Sequence, residues 1–242
     1  MKILALELST ARGSIAWLDE GDLVMREWTN DRKNSGPFFA NLQSVREKFG
    51  PPEEIIVGLG PGSYAGIRIA ISAAIGLQVT SKTRLIGYPS ICALECEADE
   101  YGVIGDARRQ SFFFARVRAH GLIEGPTLFT ESELQAKRDK LGDNMPIFSS
   151  DNLRPFKGVE LRYPSAPVLA GLTRSASHNF SLPPLEPIYL REPHITMPKS
   201  ATTASGPRKP IDAGLRSIGA RCVITHDSCV SESDQPRNFW PS

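Results

Sequence analysis

The chain has 242 residues, enough for one large or two small domains with a real hydrophobic core, and its 40% hydrophobic and 23% charged residues are ordinary for a folded soluble protein. A formal net charge of +1 leaves no overall electrostatic footprint for nucleic acid, so such binding would need a local patch or another subunit. No apolar run reaches the roughly 20 residues that span a bilayer, and the N-terminus meets Glu7 too early for a signal peptide, so a cytoplasmic location is expected.

In chain order, Lys2 to Leu8 reads as a strand, and Gly13 to Leu18 and Leu23 to Trp28 as two more, joined by a turn over Asp19 to Asp22. Ser35-Gly-Pro37 opens a helix whose apolar residues Phe38, Leu42, Val45 and Phe49 fall at i, i+4, i+7 and i+11, and Gly50-Pro51-Pro52 closes it. Ile55, Ile56 and Val57 are a short β-branched run, broken by Gly58, Gly60, Pro61 and Gly62. Ser63 is placed to cap the helix that follows. In that helix Arg68, Ser72 and Gly76 form the only polar line, so its apolar surface must be buried on more than one side. Gly66, Ala70, Ala73 and Ala74 are small enough to let another backbone approach. A strand through Leu85 and Ile86 and a helix from about Ser90 to Asp99 complete a βββαβαβα order.

From Tyr101 the pattern restarts. Val103 to Asp106, Ser111 to Arg118 and Leu122 to Phe129 read as strands, Glu131 to Leu141 as a helix, Pro146 to Ser149 as a short strand, and Ala166 to Ser177 as a helix. Glu186 to Arg191 reads as an extended segment. Ile3-Leu4-Ala5-Leu6-Glu7 matches Val103-Ile104-Gly105-Asp106 at the start of each half, so an α/β fold of two duplicated βββαβα halves is expected, the second shortened. The expected divisions are 1–102, 103–196 and a polar tail, 197–242, whose Ser, Thr, Pro, Gly and Arg carry no sustained period and argue for disorder or loose packing.

Candidate chemistry is sparse. His120, His178, His194 and His226 are scattered, and Cys92 with Cys96 and Cys222 with Cys229 match no zinc spacing, so no metal site is expected. Gly60-x-Gly62-x-x-Ala65 after a strand has the shape of a dinucleotide fingerprint, but the strand near Leu85 ends without the acidic residue that would hold a ribose, and no Gly-Lys-Ser/Thr closes a P-loop. A tight turn feeding a closely packed helix is the simpler reading of the glycines.

Two βββαβα halves around a cleft is the arrangement of the actin, hexokinase and sugar-kinase superfamily. Within it, the opening Met1-Lys-Ile-Leu-Ala-Leu-Glu-Leu-Ser-Thr10 and Gly60-Pro-Gly-Ser-Tyr-Ala-Gly-Ile-Arg-Ile69 closely resemble the bacterial TsaB family. Leu85 to Ser90, Ile104 to Arg108 and Glu186 to Arg191 do so too, each at the expected place, and the resemblance covers about residues 1 to 192. It implies a non-catalytic partner of TsaD, the enzyme that transfers a threonylcarbamoyl group to the adenosine beside the anticodon of certain tRNAs, with a TsaE-type ATPase in the same complex and tRNA contacted only indirectly. The alternative is an autonomous kinase-like ATPase or phosphotransferase. Glu7 stands where the family usually carries Asp, Tyr64-Ala65 where it carries Phe-Thr, and residues 30–36 lack the histidine that often precedes the first helix.

The superfamily's ATP-hydrolysing members hold phosphates on amides of two glycine-containing turns. Leu8 to Gly13 could supply part of this, but Asp106 to Ser111 has no glycine, so no cofactor is expected on the chain alone and ATP or ADP only at the level of a complex. Asp106 is read as a turn residue bonding its own backbone. The resemblance implies that the two helices meet TsaD, with Phe38, Leu42, Val45, Ile67, Ala70, Ile71, Ala74 and Ile75 as partner-binding residues. Gly60, Gly62, Ser63, Gly66 and Arg68 are the residues that could contact nucleotide at that interface. A homodimer through the same surface is expected when the partner is absent.

Overall fold

The structure is a computed structural model and describes residues 1–30, 34–141, 145–175 and 178–191. The tail expected at 197–242, with Cys222, Cys229 and His226, and also His194, lies outside the described residues. Chain order is β1 (Ile3–Glu7), β2 (Arg12–Asp19), β3 (Asp22–Thr29), α1 (Gly36–Phe49), β4 (Glu54–Gly58), α2 (Tyr64–Thr80) and β5 (Arg84–Tyr88). Then come β6 (Glu100–Asp106), β7 (Phe112–Arg118), β8 (Gly121–Phe129), α3 (Glu131–Leu141), β9 (Ile147–Ser149), β10 (Glu160–Leu161) and α4 (Ala166–Leu172).

These strands make two five-stranded sheets, ordered β3-β2-β1-β4-β5 and β8-β7-β6-β9-β10. In each, the first strand pairs antiparallel with the second and parallel with the fourth, so β1 and β6 hold the same place, as the matching starts of the halves imply. The duplicated α/β fold is borne out. The second copy is shorter because no helix joins β9 to β10, and β10 is only two exposed residues, a strand the sequence reading missed.

Alternation along the strands sends residues to two cores. Leu4 and Leu6 of β1, Ile55 and Val57 of β4 and Trp17 of β2 face α1 and α2, where Phe38, Leu42, Val45, Ile67, Ala70 and Ala74 meet them. Ile3, Ala5 and Ile56 face the opposite way, onto α4 and the inward side of the second sheet, which contributes Val103, Phe113, Ala115 and Phe148. Every position of β1 and β4 is buried, because a strand covered on both faces gains from apolar residues at consecutive positions. Ile104, Phe114 and Leu134 form a third, smaller core beneath α3.

Two expected helices are shorter than read. Ser90 to Asp99 forms only a 3-10 turn, Ser90–Ala93, and the chain then bridges Leu94 to Pro164. Ile91, Cys92, Ala93 and Leu94 are all buried, and four consecutive buried residues cannot share one face of a helix. The helix expected over Ala166 to Ser177 stops at Leu172. Beyond it the chain returns to the first sheet: Ser181 pairs with Gly87 through two 2.9 Å backbone bonds, and Leu185 and Ile188 enter the core beneath α2.

At the start of α2 the packing is backbone on backbone. The Ser63 amide donates to the Ser9 carbonyl at 2.6 Å, and a Cβ on Gly62 or Gly66 would collide with the carbonyl oxygens of Ser9 and Leu8 respectively. Neither carbonyl can retreat, since both belong to the segment leaving β1. Gly76, by contrast, faces open space within the same helix. Gly62→Ala and Gly66→Ala are therefore expected to cost about 1–3 kcal/mol each, the usual penalty of forced overpacking. Gly76→Ala should gain up to about 1 kcal/mol from helix propensity. Thermal unfolding of the three variants checks this, and equal effects at Gly62 and Gly76 would contradict it.

Candidate functional site

A cleft of about 430 Å³ lies where the ends of β1 and β6 face each other. The first half contributes Ser9, Thr10 and Ala11 after β1 and Gly62 to Ala65 at the start of α2; the second contributes Asp106, Ala107 and Arg108 after β6 and Ser150 with Asp151 after β9. Ile91, Val103, Phe113, Ile188 and Leu190 make its apolar walls. Phosphate could be held there by free backbone amides, so the disposition of its amides decides what it can do.

Several amides in and beside the cleft already have partners inside the chain. The Gly60 amide donates to Ser90 Oγ at 2.9 Å, that of Ser63 to the Ser9 carbonyl, and that of Gly66 to Ser63 Oγ at 3.4 Å, the cap expected of Ser63. In the turn after β1, the Ser9 amide donates to Glu7 Oε1 at 2.7 Å and the Arg12 amide to Thr10 Oγ1, while Asn30 Nδ2 donates to the Leu8 and Thr10 carbonyls. In the turn after β6, the Arg108 amide donates to Asp106 Oδ1 at 2.7 Å, so Asp106 does bond its own backbone, and the Ala107 and Ser111 amides go to the Ser111 and Arg108 carbonyls. Arg108, Arg109 and Gln110 all have positive φ, between 52° and 63°, in a turn without glycine. Left-handed backbone at a residue with a Cβ costs roughly 1–2 kcal/mol.

Glu7 departs furthest from a metal-placing carboxylate. It is fully buried and does not line the cleft; its Oε2 occupies the space a side chain at residue 58 would need, which only Gly58 leaves open, and finds no hydrogen-bond partner among the described residues. Burial pushes the carboxyl up, and the Ser9 and Ser90 hydroxyls and the Ser9 amide offset part of that. No group of three or more metal-binding side chains occurs among the described residues. Ser63 Oγ serves its cap, and no histidine among the described residues lines the cleft, so the arrangement of a serine nucleophile and its base is not assembled there. His178 and His120 lie instead at Tyr88, whose hydroxyl reaches His178 Nδ1 at 3.2 Å and the His120 carbonyl at 2.8 Å.

A carboxyl with a raised folded value holds its proton more tightly folded than unfolded. Its contribution to stability is present at acid pH and is lost as pH rises through the folded value. Glu7→Gln should therefore gain in melting temperature over the parent as pH rises above the range of an ordinary carboxyl. A margin that stays flat in thermal unfolding as pH rises would show that Glu7 is not held as the neutral acid.

The structure separates the residues expected to meet a partner. Phe38, Leu42, Val45, Ile67, Ala70, Ile71 and Ala74 are all buried in the chain's own core, and only Ile75, 44% exposed, reaches the surface. Apolarity selected them, but in a helix packed on a sheet the most apolar line is the one the sheet takes. The outward line of α2 runs through Arg68, Ser72, Ile75 and Val79, the last 80% exposed. Across from it stands Phe39 of α1, 49% exposed, with grooves between the helices lined by Phe39, Gln43, Arg46 and Leu77 and by Phe39, Ile69 and Ala73. Tyr189 from the returning segment packs on Tyr64 at the N-terminal end of this face, ring centroids 5.7 Å apart. A signal for these residues was present: Phe39 falls off the Phe38-Leu42-Val45-Phe49 stripe, and Ile75 and Val79 flank the polar line of α2.

No protein-family model matches the chain. An uncharacterized protein of Mycobacterium leprae is 26% identical over 148 residues, which is 58% of this chain and 38% of that protein, so the match spans well under half of the relative's length. Among solved structures, YeaZ from Pseudomonas aeruginosa superposes with a TM-score of 0.63 at 20% identity, covering 78% of this chain and 99% of that one. An uncharacterized P. aeruginosa protein with similarity to peptidase YeaZ gives 0.62 at 19% identity, again over 78% and 99%. No helix among the described residues is long and apolar enough to cross a membrane. With nearly the whole of each solved structure matched, the chain is, in fold, a YeaZ (TsaB)-like protein.

Proposed function

We propose that this chain is a non-catalytic subunit that docks on a TsaD-type threonylcarbamoyl transferase through the outer face of α1 and α2, and so supports modification of the adenosine beside the tRNA anticodon. One observation carries the proposal: α2 buries one apolar side in its own core and still presents Ile75 and Val79 to solvent, while Phe39 of α1 stands exposed at the grooves between the two helices. Large apolar side chains left exposed on a helix that already fills its own core mark a surface that another protein covers. The cleft argues in the same direction, since the Ser9, Ser63, Ala107 and Arg108 amides that line it are bonded within the chain, and the carboxylate at the end of β1 is folded away. In this reading catalysis, any ATP or ADP and the contact with tRNA belong to the complex, which a TsaE-type ATPase joins in the cytoplasm. The same face pairs two copies of this chain when the transferase is absent.

The test is light scattering coupled to size-exclusion chromatography on this chain mixed with the TsaD-type protein of the same genome. A heterodimer is expected. Ile75→Asp with Val79→Asp should raise its Kd at least about tenfold, the effect of losing about 1.4 kcal/mol. Thermal unfolding should barely move, because exposed substitutions usually stay within about 0.5 kcal/mol. Ile67→Asp and Ala74→Arg, at positions 1% and 0% exposed, should instead unfold the chain. A folded double variant that binds at full affinity would contradict the docking face.

A further inference from the structure

Arg68 is the only charged residue of α2, and it stands on the outward side of the helix between two grooves. Phe39, Ile69 and Ala73 border one; Leu185, Pro187 and Tyr189 border the other. The guanidinium donates to the Tyr64 hydroxyl and lies 5.1 Å from the Tyr64 ring centroid, while Tyr64 packs on Tyr189. A neutral phenol and a ring face hold the direction of this cation without neutralising it. Among the described residues no carboxylate forms an ion pair with Arg68; Glu186 lines the same groove but is not within ion-pair distance.

A protein that covers both grooves must strip water from the guanidinium between them. Dehydrating a charge without supplying its opposite is strongly unfavourable, whereas a carboxylate meets guanidinium through two parallel hydrogen bonds. Solvent-exposed Tyr and Arg side chains that are already oriented are the residue types that dominate binding energy at protein interfaces. Resting on the docking reading above, we propose that the partner protein presents an Asp or Glu side chain to Arg68, seated between the two grooves and flanked by Tyr64 and Tyr189. The demand is set by this chain: whatever apolar surface covers α2 must carry one anion at that point.

A binding titration against the TsaD-type protein of the same genome tests this, run at low and at high salt for the parent, Arg68→Met, Arg68→Lys and the Ile75→Asp/Val79→Asp variant. Arg68→Met keeps most of the apolar stem and should weaken binding at low salt at least about tenfold, with a smaller salt dependence than the parent. Arg68→Lys keeps the charge but loses the fork, and should fall between them; it also serves should the methionine variant fail to fold. If both Arg68 variants bind like the parent at both salts while Ile75→Asp/Val79→Asp abolishes binding, the carboxylate is overturned and the docking face stands. If the Arg68 variants lose affinity only when ATP or ADP is added, the counter-charge is a nucleotide phosphate and the carboxylate is again overturned. If the parent forms no complex, the docking reading fails and this inference with it.

Discussion

The structure depends on one close approach: the first turn of α2 resting against the segment that leaves β1. The Ser63 amide meets the Ser9 carbonyl, and Gly62 and Gly66 leave no side chain between the backbones. With that contact made, α2 lies flat on β1 and β4, and its Ile67, Ala70, Ile71 and Ala74 close the core over the sheet. The same contact occupies one of the amides that line the cleft, that of Ser63. A glycine-rich turn can either fit a backbone to a ligand or fit two parts of the chain to each other, and here the second use is visible bond by bond.

Sides of a helix and sides of a sheet then divide the labour. The inner side of α2 is spent on folding, and its outer side, with Arg68 and the exposed Ile75 and Val79, remains for something else. The chain's return after α4 reinforces this arrangement, since Leu185 and Ile188 enter the core under α2 and Tyr189 meets Tyr64 at its N-terminal end. The residues beyond the second sheet thereby help shape the face that the first half presents. Stability of the first half and composition of that face are physically coupled through this segment.

Much of the fold was legible in the sequence because its signals are local and redundant. Consecutive apolar residues in Ile3 to Leu8, the four-point stripe of α1 and the Gly50 stop each specify an element without reference to the rest of the chain. The failures lie where tertiary contact overrides local pattern. Ser90 to Asp99 looks like a helix until the two sheets close around Ile91 to Leu94 from several sides, and β10 exists only because β9 offers it an edge. The residues expected to bind a partner show a different limit: hydrophobicity reports that a side chain is buried, not by which chain. The phase of the polar line Arg68, Ser72 and Gly76 reports exposure instead: Ile75 and Val79 lie beside it and are exposed, Ile67 and Ala74 lie away from it and are buried.

Hydrogen–deuterium exchange on this chain, alone, with magnesium and ATP, and with the TsaD-type protein, tests the central claim most directly, because that claim concerns which amides and which helix face are already occupied. Exchange at the bonded amides of Ser9, Gly60, Ser63 and Gly66 should be slow in the chain alone and unchanged by ATP, while the transferase should slow exchange in α1 and α2. Turns that exchange fast and become protected by ATP, with α1 and α2 unaffected by the transferase, would contradict it.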